Sequence, residues 1–145
     1  MKLSTKGHYG LRAMFDLALN YGKGPIPLKM VAERQQLSDN YLEQLIASLR
    51  KAGLVKSIRG SQGGYVLARS PEDITVGDII RVLEGPIAPL ECVNEDEPGD
   101  CDQLHYCISR NVWAKVRDSI TDVIDSINLA DMCREAKKIE QSNQE

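Results

Sequence analysis

Residues 38–68 read Ser38-Asp39-Asn40-Tyr41-Leu42-Glu43-Gln44-Leu45-Ile46-Ala47-Ser48-Leu49-Arg50-Lys51-Ala52-Gly53, then Leu54-Val55-Lys56-Ser57-Ile58, then Arg59-Gly60-Ser61-Gln62-Gly63-Gly64, then Tyr65-Val66-Leu67-Ala68. Ser38 is a good N-cap, because its hydroxyl can take up a free amide of a first helical turn. Leu42, Leu45, Ile46 and Leu49 recur at steps of three and four, the spacing of one buried helical stripe, and Gly53 closes the helix. The next two runs are β-rich and flank a glycine-rich turn, which predicts strand, turn, strand. A Gly-Gly pair between such runs is commonly only a hairpin turn. Placed directly after a capped amphipathic helix and tipped by Arg59, it predicts the wing of a winged helix rather than a chance hairpin on a small α+β domain.

Upstream, Leu28 to Gln35 predicts a short helix with Met30-Val31-Ala32 on its apolar side. Leu37-Ser38 turns it into the helix above, which is the helix-turn-helix pattern. Ser4 or Thr5 can cap a first helix in which Tyr9, Ala13, Leu17 and Tyr21 recur every four residues, ended by Gly22, Gly24, Pro25 and Pro27. Downstream, Pro71 breaks the chain. Thr75-Val76-Gly77-Asp78 then opens a short capped helix carrying Val76, Ile79, Ile80 and Leu83 as far as Gly85-Pro86. From Ile87 to Tyr106 no periodicity is sustained. From Ile108, the residues Val112, Val116, Ile120, Val123, Ile124 and Ile127 predict an amphipathic helix of roughly 20 residues, about 30 Å long. Such a helix either packs on the N-terminal domain or pairs with its twin in a two-fold dimer. The expected organisation is mainly α with a small β-hairpin wing. A winged helix-turn-helix domain spans residues 1–85, a cysteine-containing loop 86–107, a dimerisation helix 108–130, and a C-terminal segment with a polar tail 131–145.

The net charge of −3 conceals two halves of opposite sign. Residues 1–70 carry 11 Lys or Arg against 4 Asp or Glu, a balance of +7, and residues 71–145 carry 7 against 17, a balance of −10. A basic half on an acidic chain points to a polyanion bound at one end only. Apolar runs such as Ile79-Ile80 and Val123-Ile124 are interrupted well before membrane-spanning length, so no membrane partner is expected. The N-terminus lacks the apolar core and cleavage site of a secretory signal, and the expected compartment is the cytoplasm.

On the expected recognition helix the N-terminal residues Asn40, Glu43 and Gln44 can reach base edges in a major groove. Asn and Gln pair bidentately with adenine. A carboxylate accepts from cytosine and repels other acceptors, so Glu43 would discriminate rather than add affinity. An exposed, solvated helix face is the plainer reading of the same residues. Arg50, Lys51, Lys56 and Arg59 follow closely and suit phosphate contact, with Arg59 able to enter a minor groove. Cys92-x8-Cys101-x5-Cys107 lies in or beside the aperiodic stretch. Without an export signal this favours a metal or redox site over stable disulfides. Thiolates suit iron-sulfur clusters and zinc, but neither spacing is a C-x2-C knuckle, and a redox thiol switch stays open. Cys133 stands apart and reads as a small core hydrophobe.

Taken together, Met1-Lys2-Leu3-Ser4-Thr5-Lys6-Gly7, Tyr41-Leu42-Glu43-Gln44-Leu45, Leu49 to Val55, Arg59 to Tyr65, Val82 to Pro86 and the three loop cysteines closely resemble the IscR family of iron-sulfur cluster regulators over about residues 1–130. The resemblance implies a homodimer of winged helices that binds a double-stranded DNA operator and represses genes of cluster assembly. It implies base contacts at Glu43 and Gln44, a minor-groove contact at Arg59, and a 2Fe-2S cluster on Cys92, Cys101 and Cys107. The cluster-assembly machinery is a further implied partner, and no catalytic role is expected. Position 40, often serine in relatives, is Asn40, and the first two cysteines are spaced more widely. The histidine that follows the last cysteine by three positions in well-known members is here Arg110, which cannot coordinate iron. The fourth ligand is then sought at His105 or His8, with a carboxylate such as Glu91 or Asp102, or water, as substitutes. Two other functions stay open. One is a related regulator of cysteine metabolism or nitric oxide response on the same fold. The other is an iron-sulfur or zinc enzyme, for which no catalytic motif is present.

Overall fold

The first helix, α1 (Thr5–Leu19), starts where the Ser4 side chain accepts the Lys6 amide and buries Ala13, Met14, Leu17 and Ala18 at the centre of the molecule. The computed structural model describes residues 3–94, 96, 99 and 107–143. Against α1 pack α2 (Leu28–Gln35), α3 (Asp39–Lys51), α4 (Val76–Glu84) and α6 (Leu129–Asn143). One charged side chain is buried in this core among the described residues, Asp16 at 2% exposure. It accepts from Arg34 Nε at 3.0 Å and Nη2 at 2.6 Å, and from Gln35 Nε2 at 3.1 Å, so the end of α2 is fastened to the C-terminal part of α1.

The turn between α2 and α3 passes through Gln36 in the left-handed region (φ 56°), and the Leu37 amide returns to the Ala32 carbonyl at 2.9 Å. Ser38 then caps α3 by accepting from the Tyr41 amide at 3.2 Å. Leu42, Leu45, Ile46 and Leu49 are buried, as their spacing predicts. β1 (Val55–Ile58) pairs antiparallel with β2 (Gly64–Leu67), Val55 facing Leu67 and Ile58 facing Gly64. Ile26 adds a third edge through two hydrogen bonds with Tyr65, of 3.0 and 2.8 Å. The Gly-Gly pair is required here by close backbone approach. A Cβ at Gly63 would meet the Ile58 carbonyl at 2.1 Å, and one at Gly64 would meet the Ile26 carbonyl at 2.3 Å.

Thr75 and Asp78 form the expected capping box of α4. The helix from Ile108 differs from expectation at its far end: α5 (Ile108–Ser126) stops short of residue 130, and a separate helix, α6, follows. The break is local chemistry. The Asn128 side chain accepts the Asp131 amide at 2.8 Å while Asp131 accepts the Asn128 amide at 3.0 Å, a reciprocal cap that starts a new helix. The link itself is stitched to the start of α4, Val76 N–H to Ile127 O at 2.8 Å and Leu129 N–H to Ile74 O at 3.0 Å. The expected polar tail is thus helical through Asn143, with Leu129 fully buried and Met132 and Cys133 packed on the core. Between α4 and α5, Arg81 and Asp125 form a bidentate pair at 2.7 and 2.8 Å, which holds the Asp125 carboxyl below the usual carboxylate range. No helix among the described residues is long and apolar enough to cross a membrane.

Since Leu129 is wholly buried where α6 meets α1, Leu129→Ala should cost about 2–5 kcal/mol, whereas Glu140→Ala on the exposed side of α6 should stay within about 0.5 kcal/mol. Urea unfolding midpoints of the two variants check both values.

Candidate nucleic-acid interface and cysteine turn

With its apolar stripe locked in the core, α3 turns one face outward. Asn40, Glu43, Gln44, Ala47 and Lys51 are all exposed at steps of three and four, with Arg50 at the margin. Three side chains able to bond base edges are therefore neighbours on one helical surface, the N-terminal half of a helix presented as groove reading requires. Ala47 was missed from the sequence. Its methyl lies among Glu43, Gln44 and Lys51 and suits contact with a thymine methyl. The position three and four residues beyond Gln44 and Glu43 was the available signal.

From the sequence, Tyr41 had no role beyond its place in the family motif. Half-buried beside this face, its hydroxyl lies 2.9 Å from Thr5 Oγ1 and its ring meets Tyr9 edge-on at 6.0 Å. Arg12 covers Tyr9 at 5.6 Å and donates from Nε to Gln35 Oε1 at 3.2 Å. Helices α3, α1 and α2 are thereby braced by one polar and aromatic chain of contacts.

Because α3 runs into β1 through buried Leu54, the cations at the end of α3 and those of the hairpin fall on adjoining exposed segments. Arg50, Lys51, Lys56 and Arg59 are all exposed, Lys56 on β1 and Arg59 at the first position of the wing turn. This arrangement suits contact with a phosphate backbone beside a groove.

The cysteine segment leaves α4 at Gly85. Glu84, the last residue of that helix, accepts from the Gly7 amide at 2.8 Å, from the Ser4 amide at 3.4 Å and from the Ser4 hydroxyl. Partial burial pushes the Glu84 carboxyl up, but these donors and Lys6 outweigh it and hold it below its usual range. The start of α1 and the root of the cysteine segment are therefore one unit. Cys92 lies half-buried in a 3₁₀ turn, Glu91–Val93, anchored by fully buried Val93. Cys107 is half-buried at the N-cap of α5, where its side chain makes no capping bond. Both thiols are free of disulfide. Arg110 Nε donates to the Cys92 carbonyl at 3.2 Å, and Arg117 Nη1 donates to the Val93 carbonyl at 2.9 Å.

Cys101, His105 and Asp102 lie outside the described residues. His8 is exposed on α1 with its ring tilted against Tyr9 at 5.3 Å, and Glu91 is exposed. Among the described residues no three His, Cys, Asp or Glu side chains gather as a metal-binding group. Cys92 and Cys107 are soft, half-buried and unpaired, which are the donor properties a thiophilic centre such as an iron-sulfur cluster needs. Cys133 differs: it packs on the core, and burial pushes its thiol up despite Lys137 and Arg134 nearby.

The Rrf2 family, described as iron-dependent transcriptional regulators, matches residues 3–135. The chain is 52% identical over 132 residues to the HTH-type transcriptional regulator CymR of Bacillus subtilis, covering 91% of this chain and 89% of that one. The solved structure of that protein, described as the global cysteine regulator of B. subtilis, is similar with a TM-score of 0.79. T. potens IscR is similar with a TM-score of 0.80 at 57% identity, covering 96% of this chain and 90% of that one. The HTH-type transcriptional regulator IscR of Vibrio vulnificus is 38% identical over 145 residues, covering 100% of this chain and 84% of that one.

Arg59→Ala should weaken binding to every DNA sequence and reduce the salt slope by about 1, as loss of one phosphate-side cation requires. Glu43→Ala should instead relax sequence choice more than it weakens binding, since a carboxylate in a groove acts by repelling acceptors. Affinities at several salt concentrations test the first, where unchanged binding and an unchanged slope refute a phosphate-side role for Arg59. Selection from random DNA tests the second, and an unaltered preference refutes it.

Proposed function

Because the chain belongs to the Rrf2 family of transcriptional regulators, we propose that it is a sequence-specific repressor of iron-sulfur cluster biogenesis genes that senses cluster status through Cys92, Cys101 and Cys107. The observation that carries this reading is the placement of two free, half-buried thiols, Cys92 and Cys107, in the segment that joins the DNA-binding half to α5. The resident group is a 2Fe-2S cluster, which when bound supplies an occupancy and a charge that follow iron, sulfide and oxidant supply. His105 or His8 completes the ligand set. His8 does so from the α1 of a second protomer.

The chain's own contacts carry the signal. Glu84 ties the root of the cysteine segment to the start of α1, Arg81 and Asp125 tie α4 to α5, and Tyr41 ties α3 to α1. A shift at Cys92 or Cys107 is therefore delivered to the helix-turn-helix through elements already in contact. On α5, Ile108 is 77% exposed, Val112 51% and Val123 56%, with Val116 on the helix and Ile127 just past its end completing the row. An apolar row of that size is covered in water, and the α5 of a second copy covers it in a two-fold dimer. The dimer then offers two recognition helices to two half-sites of one operator. Asn40, Glu43 and Gln44 read bases, while Arg50, Lys51, Lys56 and Arg59 hold phosphates and the minor groove.

The similarity to CymR favours a second reading, control of cysteine metabolism without a cluster. Protein purified without oxygen separates the two. The cluster reading expects a coloured protein holding iron and sulfide in equal amounts and a change in operator affinity when they are removed. A colourless protein whose DNA binding ignores iron and sulfide overturns it in favour of the second.

A further inference from the structure

Arg110 sits in the first turn of α5, three residues after Cys107, so it shares a side of the helix with that thiol. A cation there is disfavoured by the positive end of the helix dipole, and no acidic residue lies in that turn to offset it. What the guanidinium meets instead is the Cys92 carbonyl, at 3.2 Å. One side chain thus stands one helical turn from one thiol and is bonded to the backbone of the other. Arg117, two turns further along, holds the next carbonyl, that of Val93, but Asp118 pairs with it at 3.0 Å and offsets its charge. Among the described residues no carboxylate pairs with Arg110.

We propose that Arg110 is a positioning residue of the cysteine centre that pins the Cys92 turn to α5 and sets a positive charge beside the cluster, favouring its reduced state. The inference rests on the cluster reading above. A guanidinium neither ligates nor loses its proton, so its effect is purely one of hydrogen bonding and charge. Reduction adds one electron, and with it one negative charge, while no bond forms or breaks. A half-buried cation nearby stabilises the more negative state and raises the potential, as net charge and hydrogen bonds do around such centres.

The test uses full-length protein reconstituted anaerobically with iron and sulfide. The wild type, R110Q and R110K are titrated with dithionite, which supplies the electron, and then challenged with a chelator. R110Q should show a more negative midpoint and roughly tenfold faster cluster loss, the usual scale for removing an outer-sphere partner. R110K should return the midpoint toward wild type while its cluster remains labile, because charge is restored without the planar donor. A purely structural arginine would shorten cluster lifetime in both variants and leave both midpoints at the wild-type value, and that result overturns the proposal. If R110Q does not fold, R110M takes its place as the neutral variant: a more negative midpoint with a shortened lifetime supports the proposal, and a wild-type midpoint overturns it. A wild-type protein that takes up no iron and sulfide overturns the cluster reading and this inference together, whereas variants indistinguishable from a loaded wild type overturn this inference alone.

Discussion

A single carboxylate in the core of α1 governs how the rest of the molecule presents itself. Asp16 is almost fully buried, and a buried charge is tolerated only when its oxygens are taken up by well-placed donors. Arg34 grips it with two bonds and Gln35 adds a third, all from the last turn of α2. Breaking such an arrangement by deleting one partner leaves an uncompensated charge, so α2 is held in one rotation and one translation against α1. Only three residues separate α2 from α3. Its outward face is aimed by this anchor as much as by its own apolar stripe, and the Arg12, Tyr9 and Tyr41 contacts brace it from the other side.

The second constraint is that α4 serves two neighbours. At its C-terminus Glu84 closes the start of α1, and along its length Arg81 binds Asp125 of α5. The cysteine segment leaves this helix and returns as α5, so its two ends are fixed to the parts of the molecule that contact α1 and that expose the apolar row. Arg110 and Arg117 then fasten the Cys92 turn to the same helix. The described part of the cysteine segment is thus tied to α4 and α5, and through Glu84 to the start of α1.

Local signals were legible in the sequence because they are satisfied within a few residues. The caps at Ser4, Ser38 and Thr75, the stripe from Leu42 to Leu49 and the β-rich runs around Gly63-Gly64 each need only near neighbours, and the structure places each as expected. The separation of α5 from α6 was encoded in the same way, by Asn128 and Asp131, but the apolar periodicity running through Ile127 masked it. The face carrying Asn40, Glu43 and Gln44 was legible too, since helical spacing alone makes them neighbours.

What sequence could not supply were pairings across long separations. Asp16 with Arg34 and Gln35, Glu84 with Ser4 and Gly7, Arg81 with Asp125 and Arg110 with the Cys92 carbonyl join residues that no periodicity relates. A charged residue in a helix reads from sequence as a solvated one, because its burial depends on where distant elements dock. The sequence by itself determined the winged helix and the residue types that face outward from it, since capping, glycine geometry and apolar spacing are local. Only the tertiary structure decided that Asp16 is an anchor, that Glu84 joins the cysteine segment to α1 and that Arg110 holds the Cys92 carbonyl, because each depends on desolvation and hydrogen-bond geometry created when distant parts of the chain meet.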